Sequence, residues 1–253
     1  MQIIIPMSGF GERFRKVGYK LPKPLIRVDG KPIIQYVVEM FPGEKDIIFI
    51  CNKDHLSNPD YHMRKILKEV APESSIVSIN PHKLGPVHAV LEAISEVDLS
   101  KPTVVNYADF TCDWDYFDFI DMVKNTGCDG AIPCYRGFHP HTLWSNYYAY
   151  VREKNMRAWD IQEKTPFTEF PREEFASSGT YYFRTGNLMQ KYFERCVTEN
   201  LTVAGEYYVS MVYKPMMKDN LNIQIYELNH FMQWGTPADL QEYCYWSKTF
   251  KLI

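Results

Sequence analysis

No stretch of the 253-residue sequence is long and apolar enough to suggest a membrane anchor, no cluster of basic residues stands out, and no Pro/Gly/Ser-rich tract separates one part from another. Each absence removes a class. The N-terminus enters a short strand-like run, residues 2–6, without a positively charged lead and a long apolar segment, so the reading is a cytoplasmic chain with neither signal peptide nor membrane partner. The net charge is −3 with basic residues scattered, which gives no electrostatic footprint for nucleic acid or an acidic membrane. A small anionic ligand needs only a few local cations. Without linker, repeat or low-complexity tract, residues 1–253 read as a single domain, compatible with a homo-oligomer. The six cysteines are widely spaced, none in a CxxC arrangement, and read as reduced, mostly packed thiols. His139 and His141 flank Pro140 with no third ligand nearby, and are expected in a polar loop on the substrate side. Neither a Ser-His-Asp nor a Cys-His signature is present.

What is present is a large supply of core: 45% of residues are hydrophobic and 15% aromatic. Apolar, β-branched runs at residues 3–5, 47–51, 76–79 and 103–106 are separated by segments long enough for crossover helices, the pattern of parallel β-α-β units. The expected fold is α/β: a Rossmann-like, mixed but mainly parallel sheet flanked by helices, with ligands gathering at the C-terminal ends of the strands. From residue 131 the pattern changes to shorter strand candidates, at 147–152 and 180–183, between polar loops. Helices are expected at 187–198, 206–217 and 237–246, and a strand at 222–227. Residues 1–130 read as a nucleotide-binding half and 131–253 as an acceptor-binding half.

After the first strand comes Pro6-Met7-Ser8-Gly9-Phe10-Gly11-Glu12-Arg13-Phe14, a loop in which Gly9 and Gly11 let backbone N–H groups approach a phosphate. It departs from the dinucleotide fingerprint because position 14 is Phe. Lys23 follows in Leu21-Pro22-Lys23-Pro24-Leu25, held between two prolines, and with Arg13 makes a two-cation clamp suited to a triphosphate. Either cation alone reads as a solvated surface charge.

These stretches, together with Gly30-Lys31-Pro32-Ile33-Ile34, resemble the signature of the sugar-phosphate nucleotidyltransferases. The resemblance extends over essentially the whole chain. It implies that Met7, Ser8, Gly9 and Gly11 hold the triphosphate, with Ser8 standing where the family often has alanine or glycine. Leu84-Gly85-Pro86-Val87-His88-Ala89-Val90 resembles the base-contacting turn, usually Gly-Thr-Ala, which puts Gly85 in the nucleotide site; His88 is left as a helix histidine outside catalysis. In Asn106-Tyr107-Ala108-Asp109-Phe110 the resemblance implies that Ala108 borders the nucleotide and that Asp109 binds the metal, Mg2+. Phe231-Met232-Gln233-Trp234-Gly235-Thr236-Pro237 matches the frame of a second metal-binding motif, but Gln233 stands where the acid is expected. An acceptor site is implied by Glu163-Lys164, by Gly179 in Ser178-Gly179-Thr180, and by Glu206 in Glu206-Tyr207-Tyr208, with Gln233 beside them. Lys164 then meets the acceptor's phosphate.

The implied catalytic set is Arg13, Lys23, Asp109 and Lys164. The implied reaction is in-line attack of an acceptor phosphate oxygen on the α-phosphorus of a nucleoside triphosphate, with pyrophosphate leaving and no general base, because the nucleophile is already an anion. Residues 135–141 and 144–148 look less like hexose-1-phosphate enzymes than like the capsule-biosynthesis cytidylyltransferases acting on phosphoglutamine, which implies CTP as donor and CDP-L-glutamine as product. A sugar 1-phosphate is the alternative acceptor. Two further readings stay open: a glycosyltransferase, for which Asp113-Trp114-Asp115 supplies the letters DxD, and a non-catalytic nucleotide-binding regulator, for which Gln233 would be a sign of decay.

Overall fold

The computed structural model describes residues 1–143 and 148–251. Its strands are β1 (Gln2–Met7), β2 (Arg27–Val28), β3 (Lys31–Pro32), β4 (Asp46–Asn52), β5 (Ser75–Ile79), β6 (Thr103–Asn106), β7 (Phe110–Asp113), β8 (Gly130–Tyr135), β9 (Ala149–Lys154), β10 (Arg157–Glu163), β11 (Phe175–Ser177), β12 (Thr180–Phe183), β13 (Ile223–Glu227) and β14 (His230–Gln233). Its α-helices are α1 (Glu12–Lys16), α2 (Ile33–Glu39), α3 (Lys53–Ser57), α4 (Met63–Val70), α5 (Pro86–Glu92), α6 (Tyr116–Thr126), α7 (Gly186–Thr198), α8 (Val209–Lys218) and α9 (Pro237–Phe250).

Ten strands form one sheet in the order β11-β9-β10-β13-β8-β12-β6-β1-β4-β5. The isoleucine run of β1 shows why helices cover both faces. Successive side chains of a strand point to opposite sides, so Ile3 and Ile5 enter one core with α2, α4 and α6, while Ile4 enters the other with α5, α7 and α8. All three are fully buried, and burial of each such side chain stabilises the fold by about 1.5–3 kcal/mol.

The α/β class and the four parallel strands of the first half agree with the expectation: β6, β1, β4 and β5 are parallel neighbours. Beyond them most pairings are antiparallel. β12 runs antiparallel to both β6 and β8, and β9, β10 and β11 are joined by antiparallel pairings; β13 on β8 is parallel. The sheet is therefore mixed rather than mainly parallel. The antiparallel pair β9 and β10 needs no crossover helix, because a tight turn through Asn155 and Met156 joins the strands directly. Residues 144–147, part of the acceptor-side segment expected from the sequence, lie outside the described residues, and the strand expected at 147–152 is Ala149–Lys154. The helix expected from Glu206 begins at Val209, because Val203 and Glu206 exchange backbone hydrogen bonds of 3.0 and 3.1 Å around a turn through Ala204 and Gly205. The last helix runs on to Phe250 from a capping box, in which Thr236 and Asp239 satisfy each other's backbone N–H groups. Among the described residues no helix is long and apolar enough to cross a membrane.

His139 and His141 are not in a polar loop. Both are buried, packed on Tyr135, and His141 Nε2 lies 3.1 Å from the Tyr135 hydroxyl. Burial first, then the neighbouring His139, lowers the His141 pKa from 6.5 to about 3. The unfolded chain therefore takes up a proton below pH 6.5 that the folded chain refuses until about pH 3, so stability falls as pH falls through this window. His141→Phe is expected to reduce the drop in urea midpoint between pH 7 and pH 5. An unchanged drop contradicts this account.

Candidate active site

The C-terminal ends of the adjacent strands β1 and β6 open onto the same edge of the sheet. Met7 and Ser8 are buried where β1 ends, and Asn52 at the end of β4 braces the turn by donating to the Ser8 carbonyl at 3.2 Å. The following N–H groups of Gly9, Phe10 and Gly11 donate to no acceptor among the described residues. Such a row of free amides suits an anion. Gly11 adopts a left-handed conformation, φ 65°, as the chain turns into the five-residue helix α1 that carries Arg13 outward.

Ala108 is buried beyond β6, and Asp109 follows it at the edge. Lys23 reaches across 86 residues of sequence to place Nζ 2.7 Å from Asp109 Oδ2, both side chains 24% exposed. A cation and a carboxylate that remain partly open to solvent can each exchange the other for a ligand. The short antiparallel pair of β7 and β14 delivers the second motif to this spot: Gln233 sits opposite Phe110, and the Trp234 N–H donates to the Asp109 carbonyl at 2.9 Å. At Gly235, a Cβ would lie 2.7 Å from Gln233 Nε2 and 3.4 Å from Asp109 Oδ2, so the amide and the carboxylate converge on the same point.

The second group forms around the end of β10. Lys164 has φ 61°, its N–H held 2.8 Å from the Tyr148 carbonyl, and its Nζ donates to the Tyr208 hydroxyl with the ring centroid 4.4 Å away. Burial first, and then a hydrogen bond to Glu206, raises the Tyr208 pKa and keeps the phenol protonated. Its oxygen accepts from Lys164, and the negative charge of Glu206 nearby favours the protonated phenol. Glu163 accepts from Ser210 Oγ at 2.6 Å, and burial raises its pKa despite that bond and the nearby Lys164. Gly179 lies against the rings of Phe110 and Tyr107, where an added Cβ would come within 3.0–3.1 Å.

Gly85 ties the nucleotide turn to this second group. It has φ 89°, and an added Cβ would lie 2.8 Å from both the N and the O of Tyr207, atoms bound in turn to Leu84 and Val87. A side chain there would be strained and would strike backbone. Pro86 departs from the Gly-Thr-Ala pattern at no local cost, because it occupies the first position of α5, where no N–H is required.

Arg13 makes no hydrogen bond or ion pair among the described residues, yet its charge acts on both Tyr208 and Asp239. Asp239 in turn feels Asp109. This exposed guanidinium thus relates the Lys23–Asp109 pair to the Lys164 group. The other aspartates are engaged elsewhere: Asp115 caps α6 through the N–H groups of Phe117 and Asp118, and Asp113 lies 3.4 Å from His230. The DxD letters are thus a helix cap and a contact across the β7–β14 pair.

A model of the Nucleotidyl transferase family matches residues 2–224. The chain belongs to this family. It is 26% identical over 251 residues to a mannose-1-phosphate guanyltransferase of Gibberella zeae, covering 94% of this chain and 62% of that protein. It is 25% identical over 244 residues to the bifunctional protein GlmU of Methanocaldococcus jannaschii, covering 96% of this chain and 53% of the relative. The chain therefore spans little more than half the length of these relatives. Its fold is that of a nucleoside-diphosphate-sugar pyrophosphorylase from Vibrio cholerae, at TM-score 0.73 and 18% identity with 96% and 100% of the two chains covered. It is likewise that of a UDP-glucose pyrophosphorylase complexed with UDP-glucose, at TM-score 0.73 and 17% identity with 98% of each chain covered.

Several partners at the site were not legible as site residues in the sequence. Asn52, Tyr107, Ser210 and Tyr208 are ordinary core or strand-end residues by type, and only long-range pairing places them. Asp239 carried a signal: Thr236-Pro237-Ala238-Asp239 has capping-box spacing directly after the Gly-Thr pair.

Proposed function

We propose that this chain transfers a nucleoside monophosphate from a nucleoside triphosphate to a phosphorylated small molecule, releasing pyrophosphate. The observation that carries the reading is the Lys23–Asp109 pair, at the strand edge beside the free amides of residues 9–11. Loop amides, Lys23 and Arg13 hold the triphosphate and neutralise the charge that develops on pyrophosphate. Lys164 binds the acceptor's phosphate and orients an oxygen toward the α-phosphorus; Tyr208 and Glu206 fix the direction of its ammonium. Glu163 and Gly179 shape the acceptor's floor.

Asp109 fits Mg2+ by its chemistry: one carboxylate, partly open to solvent, next to a phosphate-binding loop, leaves room for phosphate oxygens and water. Gln233 reaches the same point with its amide Nε2, so binding the ion through the amide oxygen would require the amide to turn over. The ion would supply Lewis-acid stabilisation of the α-phosphate oxygens.

For the acceptor, the relatives named for mannose 1-phosphate and UDP-glucose favour a sugar 1-phosphate. A second reading, CTP with phosphorylated glutamine, rests on the sequence resemblance of residues 135–141; the His141 ring of that segment packs 5.1 Å from Tyr148, the residue that holds the Lys164 N–H. A panel of four nucleoside triphosphates against sugar 1-phosphates and phosphoglutamine, read as pyrophosphate release, tests both. Release with none of the pairs defeats the reading as an enzyme.

Lys164→Ala is expected to lower kcat/KM for the acceptor while calorimetric binding of the triphosphate alone stays near wild type. One charge-assisted phosphate contact is worth about 1.5–3 kcal/mol, so the fall should be roughly ten-fold or more. Lost triphosphate affinity with unchanged acceptor kinetics would move Lys164 to the nucleotide half.

A further inference from the structure

Outside the site just described, one cluster of side chains has the composition of a transition-metal centre. His82, in the loop before the nucleotide turn, meets His88 and Glu92 on α5, and a ligand atom from each lies within 4.8 Å of the others. His88 and Glu92 are one helical turn apart and therefore on one face, with His88 Nε2 2.9 Å from Glu92 Oε1. The His82 ring packs edge-on against the His88 ring with centroids 4.7 Å apart. One atom of the cluster is anomalous. His82 Nε2 is buried and has no hydrogen-bond partner, although buried polar atoms are rarely left so.

We propose that His82, His88 and Glu92 form a binding site for a divalent transition-metal ion of the zinc class, separate from the catalytic cation at Asp109. Two imidazoles and a carboxylate are the donors such an ion prefers, whereas Mg2+ prefers an all-oxygen shell. Three protein ligands leave one position for water. Zinc bonds of about 2.0–2.1 Å in a tetrahedral shell set neighbouring donors about 3.3 Å apart, so His88 Nε2 and Glu92 Oε1, now 2.9 Å apart, must separate slightly to admit the ion. His88 and Glu92 are roughly one-third exposed and free to do so.

The site has a built-in connection to the nucleotide turn. In its present form His82 accepts the Leu84 N–H at Nδ1, 3.1 Å, which leaves the ring proton on the orphaned Nε2. Coordination through Nε2 moves that proton to Nδ1 and displaces the Leu84 N–H. Leu84 is the residue whose carbonyl holds Tyr207 at 2.8 Å beside Gly85. Occupancy thus exchanges one local hydrogen bond for a clasp between the loop and α5, next to the proposed base contact.

The test is calorimetric titration of chelator-treated protein with Zn2+ in millimolar Mg2+, on a Cys244→Ser background, because Cys244 is exposed and is itself a candidate zinc ligand. One bound Zn2+ per chain is expected. Loss even of an outer-shell partner costs about 10–100-fold in metal affinity, so His82→Ala and His88→Ala should each weaken binding at least ten-fold, with a smaller loss for Glu92→Gln. Circular dichroism and melting temperature without metal show that each variant is folded. Absence of stoichiometric binding, or equal affinity in the His82→Ala/His88→Ala double variant, overturns the proposal.

Discussion

Lys23→Ala should lower kcat by on the order of 10²–10³-fold, the typical effect of deleting one preorganised charge or donor from a site where negative charge develops. The fold should barely respond. Lys23 meets Asp109 in a pair whose side chains are each 24% exposed, and such ion pairs contribute about 0.2–1 kcal/mol. The single 3-10 turn Lys23–Leu25 that carries Lys23 is anchored instead by buried Pro24 and Leu25. Because Lys23 acts on the departing pyrophosphate, most of the loss should appear in kcat rather than in triphosphate affinity. Arginine should restore little, since its planar fork cannot reproduce a point-like ammonium at Oδ2. A folded Lys23→Ala protein with normal turnover removes Lys23 from the mechanism.

Asp109→Asn should be comparably severe, on the order of 100-fold or more in kcat at saturating triphosphate, because the amide keeps the shape but loses the charge that binds the cation. Two outcomes separate a metal ligand from a mere partner of Lys23. If Asp109 holds the cation, the Mg2+ concentration for half-maximal activity should rise in Asp109→Asn and stay near wild type in Lys23→Ala. If it only positions Lys23, the two variants should show the same Mg2+ dependence. The double variant should lose much less than the product of the single losses, since both groups serve the same phosphates. A lowered melting temperature with unchanged specific activity would make Asp109 structural.

The parallel strands of the first half were readable in the sequence because their signals are local. Continuous apolar runs such as Ile3-Ile4-Ile5 mark strands buried on both faces, and the loop that follows β1 keeps its chemistry within nine residues. The second half was less legible. There the sheet turns antiparallel, and which strand lies beside which depends on contacts far apart in sequence, such as β12 entering between β6 and β8. His139 and His141 were misplaced for the same reason. Their polarity suggested a loop, but the ring of Tyr135 and the stacked Phe231, nearly one hundred residues on, make them core. A sequence motif singles out Lys164, whereas its partner Tyr208 became visible only in three dimensions.

The central claim is that the α-phosphorus passes to the acceptor's phosphate, and following that atom tests it most directly. The protein is supplied with Mg2+, a phosphorylated acceptor and, in parallel reactions, α- or γ-labelled nucleoside triphosphate. The account predicts acceptor-dependent appearance of the α label in a nucleoside diphosphate conjugate and of the γ label in pyrophosphate, with no label on the protein. Hydrolysis to nucleoside diphosphate and inorganic phosphate, γ label on the acceptor, or no turnover with any donor and acceptor would contradict it.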